Sequence, residues 1–226
     1  ELSTALTQSG KVSIDLSSGD TADDRVLFNT ESEDTSWVTY DSSGNRNGGP
    51  AAFTFNKITN FEAGDNKDAI GIFYGGTNGD GGNNVTFGAF REVTDLSASN
   101  RLRDGIIYED SFNSDSGLAL TSANAQSVTD VRQNIDSIIT AGGTAGNSQG
   151  SDDLDFTYIL YAQSSSNAAQ VSAYIYTGTY GLTNKDAGTA MTDTALKIVG
   201  VAEVQNITNG AFTDSFLSEK PAVLDQ

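Results

Sequence analysis

The feature that most limits the fold of this 226-residue chain is its division into short runs of alternating apolar and polar residues, each closed by Gly, Asn, Asp or Ser. Residues 53–74 show it best. Phe53, Phe55, Ile58 and Phe61 supply apolar side chains along an extended run, Glu62-Ala63-Gly64-Asp65-Asn66 forms a polar turn, and Ile70, Ile72 and Tyr74 alternate again. A period of two marks a half-buried strand, so this stretch is expected to form strand, turn and strand.

The same punctuation recurs along the chain. Val12, Ile14 and Leu16 share one face of a strand over 11–16, residues 17–24 are a polar turn, and 25–28 begin the next strand. Trp37 and Tyr40 are too bulky to leave in water and mark a short strand expected to pair with 25–28, followed by a loop over 44–50. Residues 75–84, GGTNGDGGNN, are a turn-forming loop. No helix or lysine follows it to make a phosphate cradle. Strands are expected over 85–90 and 105–108. A hairpin joins 157–161 to 171–176, with Val171, Ala173 and Ile175 on one face and Tyr174 and Tyr176 on the other. A last strand covers 196–201, and 207–216 close the chain.

One helix interrupts this pattern, over 123–141. Val128, Val131, Ile135, Ile138 and Ile139 fall at helical spacing, Thr121 or Ser122 caps the start, and Gly142-Gly143 ends it. Its apolar face is expected to cover a sheet. The fold class that follows is mainly β, with β-sandwich or β-roll-like sheets and one amphipathic helix. The organisation is a β-rich half over 1–120, the helix over 121–143 and a second β-rich half over 144–226, within one compact domain. The Gly/Ser/Asn loop at 144–151 is the boundary candidate.

Composition narrows the chemistry. With no cysteine, the chain has no disulfide framework, thiolate nucleophile or zinc–thiolate site. With no histidine, it lacks the commonest general base and transition-metal ligand. A metal here would be held by oxygen, which favours calcium. The formal charge of −18 opposes nucleic acid and anionic membranes, which need clustered Lys and Arg. No apolar run approaches a membrane span, so a soluble piece without membrane insertion is expected. The chain opens at Glu1 with no signal peptide, which points to a processed product, a fragment, or export by a signal outside the amino terminus.

The pattern Ile58-Thr59-Asn60-Phe61-x-x-Gly64-Asp65-x-x-Asp68-x-Ile70 resembles the I-x-D-F-x-x-G-x-D-x-I hairpin in the carboxy-terminal regions of RTX-like bacterial proteins exported by type I secretion, a class that includes surface-layer proteins and adhesins. Residues 11–28 resemble a degenerate repeat of that class. Ala195-Leu196-Lys197-Ile198-Val199-Gly200-Val201 with Ala211-Phe212 is similar to its closing strand. The resemblance touches 53–74, 151–161 and 195–216. It implies calcium bound by glycine–aspartate turns between stacked coils, a secreted or cell-surface location, and assembly.

The carboxylates fit that expectation in kind. Asp20, Asp23 and Asp24, then Asp65 and Asp68, then Asp152, Asp153 and Asp155 gather just before strands. Carboxylates ~4 Å apart repel by about 1 kcal/mol per pair even in a water-like dielectric. Such clusters either fan into solvent, Asp being a favoured turn residue, or bind a cation. These eight residues are the candidate Ca2+ ligands.

The expected function is a secreted, calcium-dependent, non-catalytic bacterial surface protein that self-assembles as part of a surface layer, filament or adhesin. Its partner is copies of itself, with Tyr158, Tyr161, Tyr174, Tyr176 and Tyr180 supplying contact area. The alternative is a calcium-dependent carbohydrate-binding module that takes surface polysaccharide. A carboxylate-dependent hydrolase is the third reading, without an aromatic-lined cleft around any acidic pair. A serine nucleophile would need a lysine base, and no Ser-x-x-Lys motif is present.

Overall fold

The computed structural model describes residues 11–16, 24–31, 37–41, 45–62, 68–75, 90–92, 106–110, 121–142, 154–164, 167–182 and 193–207. Its strands are β1 (Ser13–Asp15), β2 (Arg25–Glu31), β3 (Val38–Tyr40), β4 (Arg46–Gly48), β5 (Asn56–Thr59), β6 (Ala69–Gly75), β7 (Phe90–Glu92), β8 (Ile106–Asp110), β9 (Leu154–Ser164), β10 (Asn167–Leu182) and β11 (Asp193–Ile207). Two helices, α1 (Ser122–Gln126) and α2 (Val128–Gly142), lie between β8 and β9.

The β-rich reading holds, and the architecture is an open mixed sheet. Nine strands form it, in the order β1-β5-β11-β10-β9-β8-β7 with β3 and β4 attached beside β11, while β2 and β6 form a separate two-stranded sheet. Strands from both sides of 144–151 therefore share one sheet. The long antiparallel strands β9, β10 and β11 are its centre. The expected hairpin is there but longer, because the alternation continues through Thr177, Gly178 and Thr179 into residues that still pair with β9 and β11.

The central strands bury both faces. Tyr158, Leu160, Ala162, Tyr174, Tyr176, Leu196 and Ile198 meet Ala125, Val128, Val131 and Ile135 of the helices on one side. Ile159, Tyr161, Val171, Ala173, Ile175 and Val204 meet Val26, Phe28 and Ile70 of the two-stranded sheet on the other. This division matches the alternation read from β10. It also overturns the tyrosine-rich contact surface, because Tyr158, Tyr161, Tyr174 and Tyr176 are all fully buried. Phe53 and Phe55 meet Tyr176 edge-on at 5.3 Å each, and Phe55 meets Tyr174 at 5.1 Å. These rings fill the space beneath the helices rather than face a partner. The side chain of Tyr180 lies outside the described residues.

The single helix is two helices. Ser127 turns out of helical geometry (φ −74, ψ 116), ends α1 and forms an isolated bridge with Ala52. Its hydroxyl then accepts the Asp130 N–H at 3.2 Å, as an N-cap does for α2. The start is capped as expected: Thr121 and Asn124 make a reciprocal capping box. The break is held by the sheet. Tyr40 Oη donates to the Val128 carbonyl at 2.6 Å, Tyr176 Oη to the Ala125 carbonyl, and the Phe53 N–H to the Gln126 carbonyl at 2.9 Å.

Two pairings differ from expectation. The strand around Tyr40 pairs with β11 and β4, not with 25–28. The loop expected over 44–50 instead carries β4, and Gly49 has φ +79 beside the Trp37 carbonyl. Residues 53–74 do not close as a hairpin. β5 joins the large sheet between β1 and β11, while β6 joins the small sheet beside β2. Asn60 takes a positive φ of 58, which breaks the strand so that Phe61 reaches the same core as Ile58 and Ile70.

Residues 11–31 do the same thing. β1 lies in the large sheet and β2 in the small one. Two arches therefore stack in parallel, with Ser13 opposite Lys57 and Arg25 opposite Ala69. The same 44-residue separation joins Asp24 to Asp68. Ile14 is matched by Ile58, Val26 by Ile70 and Phe28 by Ile72. The chain thus carries a repeated supersecondary unit.

Candidate metal centre

The stacked arches bring one predicted acidic pair together. Asp24 and Asp68 stand immediately before the first paired residues of β2 and β6, Arg25 and Ala69. Asp68 is buried, at 6% exposure, and Asp24 is half-buried. The Asp24 N–H donates to Asp68 Oδ1 at 3.1 Å, and the Glu62 N–H donates to Oδ2 at 2.7 Å. The Asp68 N–H returns to the Glu62 carbonyl at 3.1 Å. Both carboxylate oxygens thus accept backbone donors, which makes burial of this charge tolerable. One side chain closes its own arch and ties it to the arch beside it.

The other predicted ligands do not all meet here. Asp20, Asp23 and Asp65 belong to the connections Leu16–Asp24 and Glu62–Asp68 by sequence, and they lie outside the described residues. So do Asp152 and Asp153. Asp155 is in β9 of the large sheet, opposite Thr179 of β10, and so belongs to a different sheet from the strands that follow Asp24 and Asp68. Among the described residues, no group of three or more acidic side chains is placed to hold a metal ion.

The donors fit a hard cation in kind, being carboxylates alone. Calcium takes about six to eight oxygens, and of the eight predicted ligands the structure brings together Asp24 and Asp68. Asp68 is already engaged through both oxygens, so its share in a metal shell would use the lone pairs left over.

Two buried polar groups escaped sequence reasoning. Asn56, at the start of β5, accepts the Val12 N–H at 3.1 Å and donates to the Val201 carbonyl at 2.8 Å, joining the first arch to β11. Glu203 of β11 accepts from Tyr174 Oη at 3.3 Å and from Gln205 Nε2 at 2.9 Å. Burial, opposed by a bond from Ser122 and reinforced by the charge of Glu203, pushes the Tyr174 phenol up to about 12. Tyr174 therefore remains a neutral donor at physiological pH and anchors a polar knot between β10, β11 and α1. The signal for both was a polar residue inside an apolar run, Phe53-Thr-Phe-Asn56 and Val201-Ala-Glu203-Val.

No family model matches the chain, and no characterised protein or solved structure is significantly similar to it. Among the described residues, no helix is long and apolar enough to cross a membrane.

Proposed function

We propose that this chain is a secreted, calcium-dependent, non-catalytic bacterial surface protein that assembles with copies of itself into a surface layer, filament or adhesin. The observation that carries the reading is the pair of parallel arches. Their connections, one bearing Gly19-Asp20 and the other Gly64-Asp65, begin and end on strands that pair at a common 44-residue offset. We read these pairings as a two-coil, roll-like stack; the RTX resemblance of residues 11–28 and 53–74 implies calcium between coils of this kind.

Charge supports the same reading. At a formal −18, copies of the chain repel one another unless cations intervene, so association becomes dependent on divalent ions. Calcium bound by Asp20, Asp23, Asp24, Asp65 and Asp68 would neutralise these carboxylates. Extracellular calcium modules bind at about 10⁻⁴–10⁻³ M, so millimolar calcium is the relevant range.

The test is a thermal melt and a sedimentation-velocity run in chelator, in millimolar calcium and in millimolar magnesium. Calcium is expected to raise the midpoint and the sedimentation coefficient, with magnesium less effective. An unchanged midpoint and association state in all three would overturn the proposal.

A further inference from the structure

The β3–β4 hairpin holds an asparagine–glycine pair in a fixed setting. Its register places Thr39 opposite Gly48 and Tyr40 opposite Arg46, so Asn47 is the extra residue of a β-bulge. Asn47 is exposed. Thr39 Oγ1 donates to Asn47 Oδ1 at 2.7 Å, and the same oxygen lies 2.5 Å from where a Cβ on Gly48 would sit. One hydroxyl thus lies against both the Asn47 carboxamide and Gly48. Arg46 brackets the pair, its Nη1 donating to the Gly49 carbonyl at 2.6 Å and to the Pro50 carbonyl at 3.3 Å.

This arrangement favours one reaction, attack of the Gly48 backbone nitrogen on Asn47 Cγ. Gly48 has no side chain to obstruct the approach. The bond from Thr39 polarises the amide carbonyl and stabilises the negative charge that gathers on its oxygen at the tetrahedral stage. The guanidinium of Arg46 favours loss of the Gly48 N–H proton. A bond forms between the Gly48 nitrogen and Asn47 Cγ, the Cγ–Nδ2 bond breaks, and ammonia leaves with the proton that Gly48 gave up, relayed by water. A second water then opens the five-membered imide at one of its two carbonyls, leaving aspartate or isoaspartate. Water is the sole co-reactant.

We infer that Asn47 is a self-modification site, promoted by the Thr39 hydroxyl, whose product decides whether β4 stays paired with β3. The aspartate product keeps the hairpin, since its carboxylate still accepts from Thr39. The isoaspartate product adds a backbone carbon ahead of Gly48. Gly49, at φ +79 and packed against the Trp37 carbonyl, leaves no room for it. β4 then detaches, and the ring of Trp37, which is buried in the intact hairpin, meets water. The site is independent of the calcium reading.

Peptide mapping of the whole protein after timed incubation in chelator tests the site, with aspartate and isoaspartate told apart by electron-transfer fragmentation. Asn47 is expected to convert at least as fast as Asn78 and Asn209, the other asparagines followed by glycine, which lie outside the described residues. Thr39→Val keeps the branched shape and removes the donor, and it should slow conversion of Asn47 about threefold to tenfold. Thr39→Ser, which keeps the hydroxyl, should convert as the parent does. Trp37 fluorescence should shift to the red in the fraction that carries isoaspartate. Slower conversion of Asn47 than of Asn78 and Asn209 would overturn the inference, and so would conversion in Thr39→Val at the parent's rate or faster. Isoaspartate without the fluorescence shift would overturn the release of β4.

Discussion

Replacing Asp68 with asparagine separates a structural carboxylate from a purely repelling one. In the native arch, one 6%-exposed side chain accepts two backbone N–H groups, from Asp24 and Glu62. Asparagine keeps one acceptor oxygen and turns an NH₂ donor toward the second N–H, which is left without a partner. Hydrogen bonds to charged groups contribute about 1.5–3 kcal/mol net, and an orphaned buried donor costs about 1–3 kcal/mol. Against this, loss of one negative charge relieves repulsion from the neighbouring carboxylates by about 1 kcal/mol at water-like screening. The loss outweighs the relief, and Asp68→Asn should destabilise by about 1–3 kcal/mol.

The assay is urea unfolding in chelator, followed by circular dichroism and by the fluorescence of the single tryptophan, Trp37. Asp24→Asn is the reference, because Asp24 enters the described bond through its backbone N–H, which asparagine retains. That variant should match the parent or exceed it slightly. If Asp68→Asn proves as stable as the parent, or more so, the bonds to its two oxygens are not what holds the arches, and the argument fails.

Gly200→Ala should cost about 1–3 kcal/mol, since a Cβ there would sit 2.7 Å from the Phe55 ring and 2.8 Å from the Thr54 carbonyl. Thermal melts of this variant should improve when Phe55 is shortened to leucine in the same chain. Tyr176→Phe removes the donor to the Ala125 carbonyl while keeping the buried ring, and a loss of about 1–2 kcal/mol is expected. Faster exchange at the α1–α2 break is the accompanying signature. Alkali should unfold the protein cooperatively. The Tyr174 phenol is raised from an unfolded value of 10.0 to about 12 when folded, so its contribution is complete below pH 10 and is lost as pH rises through 12. Phenolate absorbance from the buried tyrosines should then appear together with loss of secondary structure, not before it.

The periodic parts of the fold were legible in the sequence and their partners were not. β10 announced its two faces because Val171, Ala173 and Ile175 alternate with Tyr174 and Tyr176, and both sets are apolar enough for a strand buried on each side. The helix announced its buried face through Val128, Val131 and Ile135. Its break at Ser127 was silent, because the cause is tertiary: bonds from Tyr40, Tyr176 and Phe53 hold that turn open. The arches were misread for a related reason. A hairpin and an arch need the same alternation. In one the backbones pair, while in the other the side chains meet, as Ile58 and Ile70 do in one core.

The tyrosines were misjudged because aromatic content says nothing about which layer will cover it. At the candidate metal centre, acidic residues before strands were visible as a pattern. That Asp68 bonds backbone donors from both arches was not, since that depends on a pairing 44 residues away.

Negative-stain electron microscopy of the same sample in millimolar calcium and after chelation tests the central claim most directly. Ordered lattices, fibres or discrete oligomers in calcium that disperse on chelation are the predicted result. Solitary particles of identical size in both conditions would contradict it.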